Sequence, residues 1–322
     1  MSHKVTIVMY HYVRDLIHSK YPNIKGLDKN DFKGQIEFLA KNYNFITMEE
    51  MIDSYYNKTL LPKNAVLLTF DDAYIDHFNV VYPVLNNMGI QGSFFAPVRA
   101  VMENSMLDVN KIHFILAAQE NINEIIKKIY ILLDKYRVEY KLESNLYYYT
   151  KLAKENRYDI AEVIFIKRLL QVELEENLRK IITDELFKEI IGVDESIFSR
   201  ELYMSLDQIK CMCKNGMHIG SHGYDHYWLG SLSRENQKIE IEKSLEFIKA
   251  VGGDLNYASI CYPYGNYNAD TLSLLQNYNF KVGMTTRVEV SDLSLDNPLE
   301  LPRLDTNDLP KAANIEVNKW YT

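Results

Sequence analysis

The stretch Ala65-Val66-Leu67-Leu68-Thr69-Phe70-Asp71-Asp72 constrains this chain more than any other. Six apolar or β-branched residues run without interruption into two adjacent carboxylates. Such a run reads as a strand buried on both faces, which belongs in a parallel sheet. Enzymes built on parallel sheets place their chemistry just beyond the C-terminal ends of the strands. Adjacent carboxylates repel one another, so a fold that keeps both either holds a cation there or leaves them in water. A solvated acidic turn is the alternative reading of the pair taken alone.

Around this strand the sequence alternates. Val5–Tyr10, Phe45–Thr47 and Gly92–Pro97 read as strands, and Asp31–Asn42, Met48–Tyr56 and Asn79–Met88 as helices. Thr47 and Glu50 have the spacing of a capping box, and Gly89 closes the third helix. Alternation of this kind predicts a parallel α/β sheet or barrel. From about residue 107 to about 198 the strand signal disappears, and Gly and Pro are absent until Gly192. Asn110–Glu120, Ile122–Tyr136, Ile160–Leu170, Leu174–Ile182 and Asp184–Ile191 read as helices. This is a helical insertion, longer than an ordinary connection and expected to cover a cleft, with a remote packing or dimerisation module as the alternative. Its Tyr147-Tyr148-Tyr149 reads as helix packing, with a sugar-stacking surface as the alternative. Alternation then resumes, with helices at Ser205–Asn215, Ser233–Val251 and Asp270–Tyr278 and strands at Met217–Gly220, Tyr257–Tyr262 and Lys281–Thr286. The tail around Pro302 is extended.

Composition excludes some function classes. The 322 residues carry a formal net charge of -8, which argues against a nucleic-acid binder or an anionic-membrane binder. No apolar run reaches the length of a membrane span. Cys211, Cys213 and Cys261 form no disulfide framework, and only about six apolar residues precede His11, too few for a signal-peptide core. These features lead to the expectation of a cytoplasmic protein.

Three strand ends carry groups with chemistry: Asp71-Asp72, then His222 and His226, then Pro263-Tyr264-Gly265. Two histidines four apart share one face if the segment is a helical turn. Imidazoles with one carboxylate can hold a divalent ion and leave open positions, and the second carboxylate is then free to accept a proton from water. A solvated loop is the alternative for the histidine pair alone. His11 follows the first strand, where it is a site candidate or a hydrogen-bonded turn residue.

Thr69-Phe70-Asp71-Asp72, His222-x-x-x-His226 and Tyr262-Pro263-Tyr264-Gly265, in this order, resemble the polysaccharide deacetylases of carbohydrate esterase family 4. The resemblance covers residues 5 to 98 and 203 to 304. It implies a distorted (β/α)7 barrel, here with a helical insertion, and a metal-dependent hydrolase acting on N-acetylated carbohydrate. By position, Asp71 resembles the general base, and Asp72, His222 and His226 resemble the metal ligands. Zinc is the expected ion, with cobalt, nickel or manganese as alternatives. Tyr264 stands where the family offers a backbone N–H to the oxyanion. Tyr262, Pro263 and Arg303 are expected to contact substrate.

Several positions depart from the family pattern. Asp-Asp-Gly is Asp71-Asp72-Ala73, and the Ser or Thr after the first ligand His is Gly223. The arginine that tunes the base is replaced by Cys261, which leaves Arg303 or Arg287 as a substitute. No Leu-x-His motif follows near the C-terminus. His11, in Tyr10-His11-Tyr12-Val13, instead resembles the acid of the branch that deacetylates poly-N-acetylglucosamine. The expected reaction is N-deacetylation of an amino sugar. An O-deacetylase, an amidase of non-sugar substrates and an inactive carbohydrate-binding relative are the other classes. The sequence names neither the sugar nor an oligomeric state.

Overall fold

The computed structural model describes residues 2–156 and 159–321, which form two compact units. The first comprises Met1–Asp15, Gly26–Ser105 and Ser199–Thr322, and the second Leu16–Lys25 and Met106–Phe198.

In the first unit, six strands run parallel in spatial order: β1 (Lys4–Tyr10), β2 (Ala65–Asp71), β3 (Ser93–Ala96), β4 (His218–Ser221), β5 (Ser259–Cys261) and β6 (Val282–Met284). The extended tail supplies the next stave. Leu301 bridges Met284 in parallel, and β7 (Leu304–Asp305) pairs with Val8 and Met9 of β1. The result is a distorted (β/α)7 barrel, as the family resemblance implies.

Period-two alternation sorts the strand residues. Val8, Tyr10, Leu68, Phe70 and Phe94 face a layer of helices and pack with Phe32, Ile36, Leu85 and Met212. The rings of Tyr10, Phe70 and Phe94 stack across three neighbouring strands at centroid distances of 4.8 Å. Val5, Ile7, Ala65 and Leu67 face the other way, with Phe95, Cys261, Val282, Met284 and Leu301. Asp71 lies four residues beyond Leu67, so it shares this inward face at the barrel mouth. The second strand is buried along its whole length, as its composition requires.

The second unit is helical. It contains α1 (Asp108–Ala118), α2 (Ile122–Tyr136), α3 (Asn145–Leu152), α4 (Ala161–Arg168) and α5 (Glu176–Ile191). The stretch read as two helices between Leu174 and Ile191 is a single helix, because nothing in it breaks the backbone ladder and Thr183 is buried in mid-helix. The three tyrosines lie on α3, capped by Ser144. Tyr148 is buried, and Tyr149 packs against Phe165 at 5.1 Å. Tyr21, from Leu16–Lys25, packs against Phe114 of α1 at 5.1 Å. Among the described residues no helix is long and apolar enough to cross a membrane.

Candidate metal centre

The register of the parallel strands brings the singled-out residues to one rim. Asp71 pairs with Phe95 across β2 and β3, Ala96 with Ser221 across β3 and β4, and Ser221 with Ile260 across β4 and β5. The next residues, Asp72 and His222, leave their strands together. The Asp72 N–H donates to the Phe95 carbonyl at 3.0 Å and the His222 N–H to that of Ala96 at 3.3 Å.

Asp72, His222 and His226 converge. One oxygen of Asp72, Oδ1, lies 3.4 Å from Nε2 of each histidine, and all three residues are buried. The His222 Nδ1–H donates to the Cys261 carbonyl at 2.7 Å, which leaves Nε2 facing the carboxylate. Asp72 Oδ2 accepts from the Tyr74 hydroxyl at 2.6 Å, and Oδ1 has no hydrogen-bond partner. A buried carboxylate oxygen without a partner, facing two imidazole nitrogens, is costly unless a cation completes it. Donors each about 2.0–2.2 Å from one zinc ion at tetrahedral angles would stand about 3.4 Å apart. The residues present therefore fit a divalent ion. Burial pushes the His226 imidazole down to about 3, the neutral state a ligand needs. Burial would raise the Asp72 carboxyl, but His222 and His226 outweigh it and hold the group well below its ordinary range.

The histidines do not share a helical turn. Beyond Ser221 the chain is a loop in which Gly223 (φ 74°) and His226 (φ 59°) are left-handed. That conformation favours glycine and accounts for the residue after the first ligand. Asp72 and Ala73 are left-handed as well, at φ 76° and 53°, so Ala73 carries backbone strain that glycine would not.

Three expectations about neighbouring residues need correction. Arg303 does not face a substrate. It is buried, with Nη2 2.9 Å from Asp71 Oδ2 and Nη1 3.1 Å from Oδ1. Its remaining donors go to the Thr285 carbonyl, Thr69 Oγ1 and Cys261 Sγ. Of the two arginines that the sequence offers beside the base, Arg303 is the one that meets Asp71. Arg287 instead pairs with Asp296 at 2.9 Å, on the surface. Burial would raise the Asp71 carboxyl, but the Arg303 guanidinium, with His222 and His11, brings it down to about 2. Tyr262 is also turned inward. Its hydroxyl donates to the Leu299 carbonyl at 2.7 Å and its ring stacks on Tyr267. Pro263 is buried behind Gly223.

Tyr264 sits in a left-handed turn (φ 58°), with its ring 4.7 Å from His226 and stacked on Trp228 at 4.6 Å. His11 is half-buried, and its charge would act on Asp71, Asp72 and His226. The buried His77, which sequence reasoning passed over, donates Nε2–H to the His11 carbonyl at 2.8 Å. Burial holds the His77 ring at about 4, hence neutral. Tyr74, and a glutamate in the helix Arg234–Ala250 that faces the histidine loop, Glu240, were also missed. An interior tyrosine and a mid-helix glutamate look in sequence like many others.

A family model described as polysaccharide deacetylase matches residues 122–283, half of the chain. The chain belongs to the polysaccharide deacetylase family. The matched stretch contains His222, His226 and Tyr264, and it reaches into the insertion. It omits Asp71 and Asp72, which the strand register joins to it. YxkH of Bacillus subtilis (strain 168), named for the same family, is 30% identical over 84 residues, which span 26% of this chain and only 30% of that relative. The fold is similar to that of Streptococcus pyogenes deacetylase PplD, solved with acetate, at TM-score 0.58 and 19% identity over 94% of this chain and 92% of that one. IcaB from Ammonifex degensii gives 0.53 and 18% over 94% and 91%. A de-N-acetylase from Aggregatibacter actinomycetemcomitans gives 0.53 and 15% over 94% and 95%. At these identities the likeness is one of fold.

Proposed function

We propose that this chain is a metal-dependent hydrolase that removes an N-acetyl group from an amino sugar in a polysaccharide, oligosaccharide or glycan precursor. The observation that carries the reading is the division between two adjacent carboxylates. Asp72 faces two imidazoles, while Asp71 is bound by a buried guanidinium and kept ionised. Family membership and similarity in fold to proteins described as deacetylases support it.

Asp72, His222 and His226 would hold the ion. Two nitrogens and one oxygen suit zinc, and cobalt, nickel or manganese could take the same donors. When bound, a divalent ion supplies a Lewis acid for the acetyl carbonyl and acidifies water. Asp71 accepts the proton of the attacking water, and Arg303 keeps that carboxylate ionised and oriented. The Tyr264 N–H donates to the oxyanion that forms as water adds to the carbonyl. His11, with its main chain fixed by His77, protonates the departing amine.

Acetate release by the zinc-loaded protein tests the reading, with an N-acetylglucosamine oligomer, an O-acetylated glycan and a non-sugar N-acetyl amide as substrates. Acetate should come from the oligomer. Asp71→Asn should keep the zinc and lose at least about a hundredfold in turnover. Acetate from the O-acetylated glycan alone would assign an O-deacetylase, and no acetate from any substrate would overturn the hydrolase reading.

A further inference from the structure

The loop that carries both histidines is itself neither strand nor helix, so its backbone groups must be satisfied from outside. On one side, the N–H of Val98 donates to the Gly223 carbonyl at 3.2 Å and that of Arg99 to the Tyr224 carbonyl at 3.0 Å. The Arg99 guanidinium also pairs with Asp225. On the other side, the N–H groups of Tyr224 and Asp225 both donate to one oxygen, Glu240 Oε2, at 2.7 and 3.0 Å. Glu240 lies in the helix Arg234–Ala250 and is 4% exposed. A Cβ at Gly223 would stand 3.0 Å from the same oxygen, so the left-handed glycine also admits the carboxylate. One turn further along the helix, the Lys243 ammonium lies 3.6 Å over the Tyr224 ring.

We infer that Glu240 is a positioning residue for the metal centre: its carboxylate gathers the Tyr224 and Asp225 amides so that His222 and His226 converge on Asp72. The inference rests on the metal-site reading above and adds to it the group that sets the spacing of the two imidazoles. The bonds run to amides midway between the ligands, where a shift of the loop displaces both rings together. Both amides use one oxygen, so an amide side chain of the same length can replace the acid, whereas a shorter carboxylate cannot reach.

The test compares Glu240→Gln, Glu240→Asp and Glu240→Ala with His222→Ala. Zinc affinity is measured by competition with a chromophoric chelator, and the visible absorption of the cobalt-loaded protein reports ligand geometry. Glu240→Asp and Glu240→Ala should lose about 10- to 100-fold in zinc affinity, the scale for groups that orient metal ligands, and should alter the cobalt bands. Glu240→Gln should stay close to wild type. If Glu240→Ala does not fold, the Asp and Gln variants carry the comparison. Unchanged zinc affinity and cobalt bands in Glu240→Asp would overturn the inference, even if its melting temperature drops. His222→Ala separates the two failures: if it retains zinc, the metal-site reading itself is wrong.

Discussion

At Asp71 two opposed effects act on one carboxyl. Burial favours the protonated form, and the guanidinium of Arg303, at 2.9 and 3.1 Å, favours the ionised one and prevails. Replacing Arg303 should therefore expose the burial effect. In Arg303→Met the Asp71 pKa should rise, and the acid limb of the pH–rate profile should move to higher pH, because a base works only when ionised. Zinc content should be kept, and Arg303→Lys should lie between the variant and wild type, since an ammonium replaces charge but not the two-point fit. An unmoved acid limb in Arg303→Met would remove Arg303 from the chemistry. Sequence allowed Arg303 as the substitute for the missing arginine and also as a substrate contact. It could not choose, because Arg303 and Asp71 lie 232 residues apart and only closure of the barrel by the tail brings them together. Asp71 and Asp72 were legible because they end an apolar run, and His222 and His226 because they stand four apart in a motif that resembles the family's. Tyr74 and Glu240 carry no such mark.

The fourth strand shows how an element can be read correctly while its flanks are not. Met217–Gly220 was expected as a strand, and His218–Ser221 forms one. The segment after it was expected to turn as a helix, on four-residue spacing alone. The left-handed residues and the bonds to Glu240 make it a loop. At the other end of the strand, His218 Nε2 lies 2.7 Å from Ser259 Oγ, and Nδ1 lies 3.5 Å from Glu49 Oε1. The order Ser259, His218, Glu49 has the outline of a nucleophile set. Ser259, however, is fully buried at the N-terminal foot of its strand, so the cluster ties the strands to the helix Met48–Asn57. Burial would raise the Glu49 carboxyl, but His218 outweighs it, and the pKa falls from 4.5 to about 2. A carboxyl lowered on folding contributes stability above its unfolded pKa and loses it as pH falls through the folded one. Below about pH 5 the stability gap between wild type and Glu49→Gln should close as pH drops towards 2. Urea titrations across that range would measure it, and a gap independent of pH would show that the ion pair contributes nothing.

At the scale of the molecule, each unit has its own core. The barrel packs around its strand residues, and the insertion around Phe114, Ile129, Leu133, Phe165, Ile182 and Leu186. Helix content of the insertion was legible from its lack of Gly and Pro, but the share taken by Leu16–Lys25 was not, because that segment is short and lies before the first helix of the barrel, far in sequence from the rest. The insertion also buries a charge that hydropathy could not anticipate. Lys111 is 1% exposed, with Asp184, Glu195 at 3.0 Å and Asp108 at 3.6 Å around its ammonium. Removing it leaves three carboxylates facing one another with no cation among them. Those acids are each about one-third exposed, so water takes up part of the loss. Lys111→Met should then cost about 3 kcal/mol, the low end for breaking a buried ion pair. The loss should fall on the helical unit. Far-ultraviolet circular dichroism should show part of the helix signal melting earlier, while zinc affinity in the folded protein stays at the wild-type value. A single transition that takes helix signal and zinc together would mean that the two cores unfold as one.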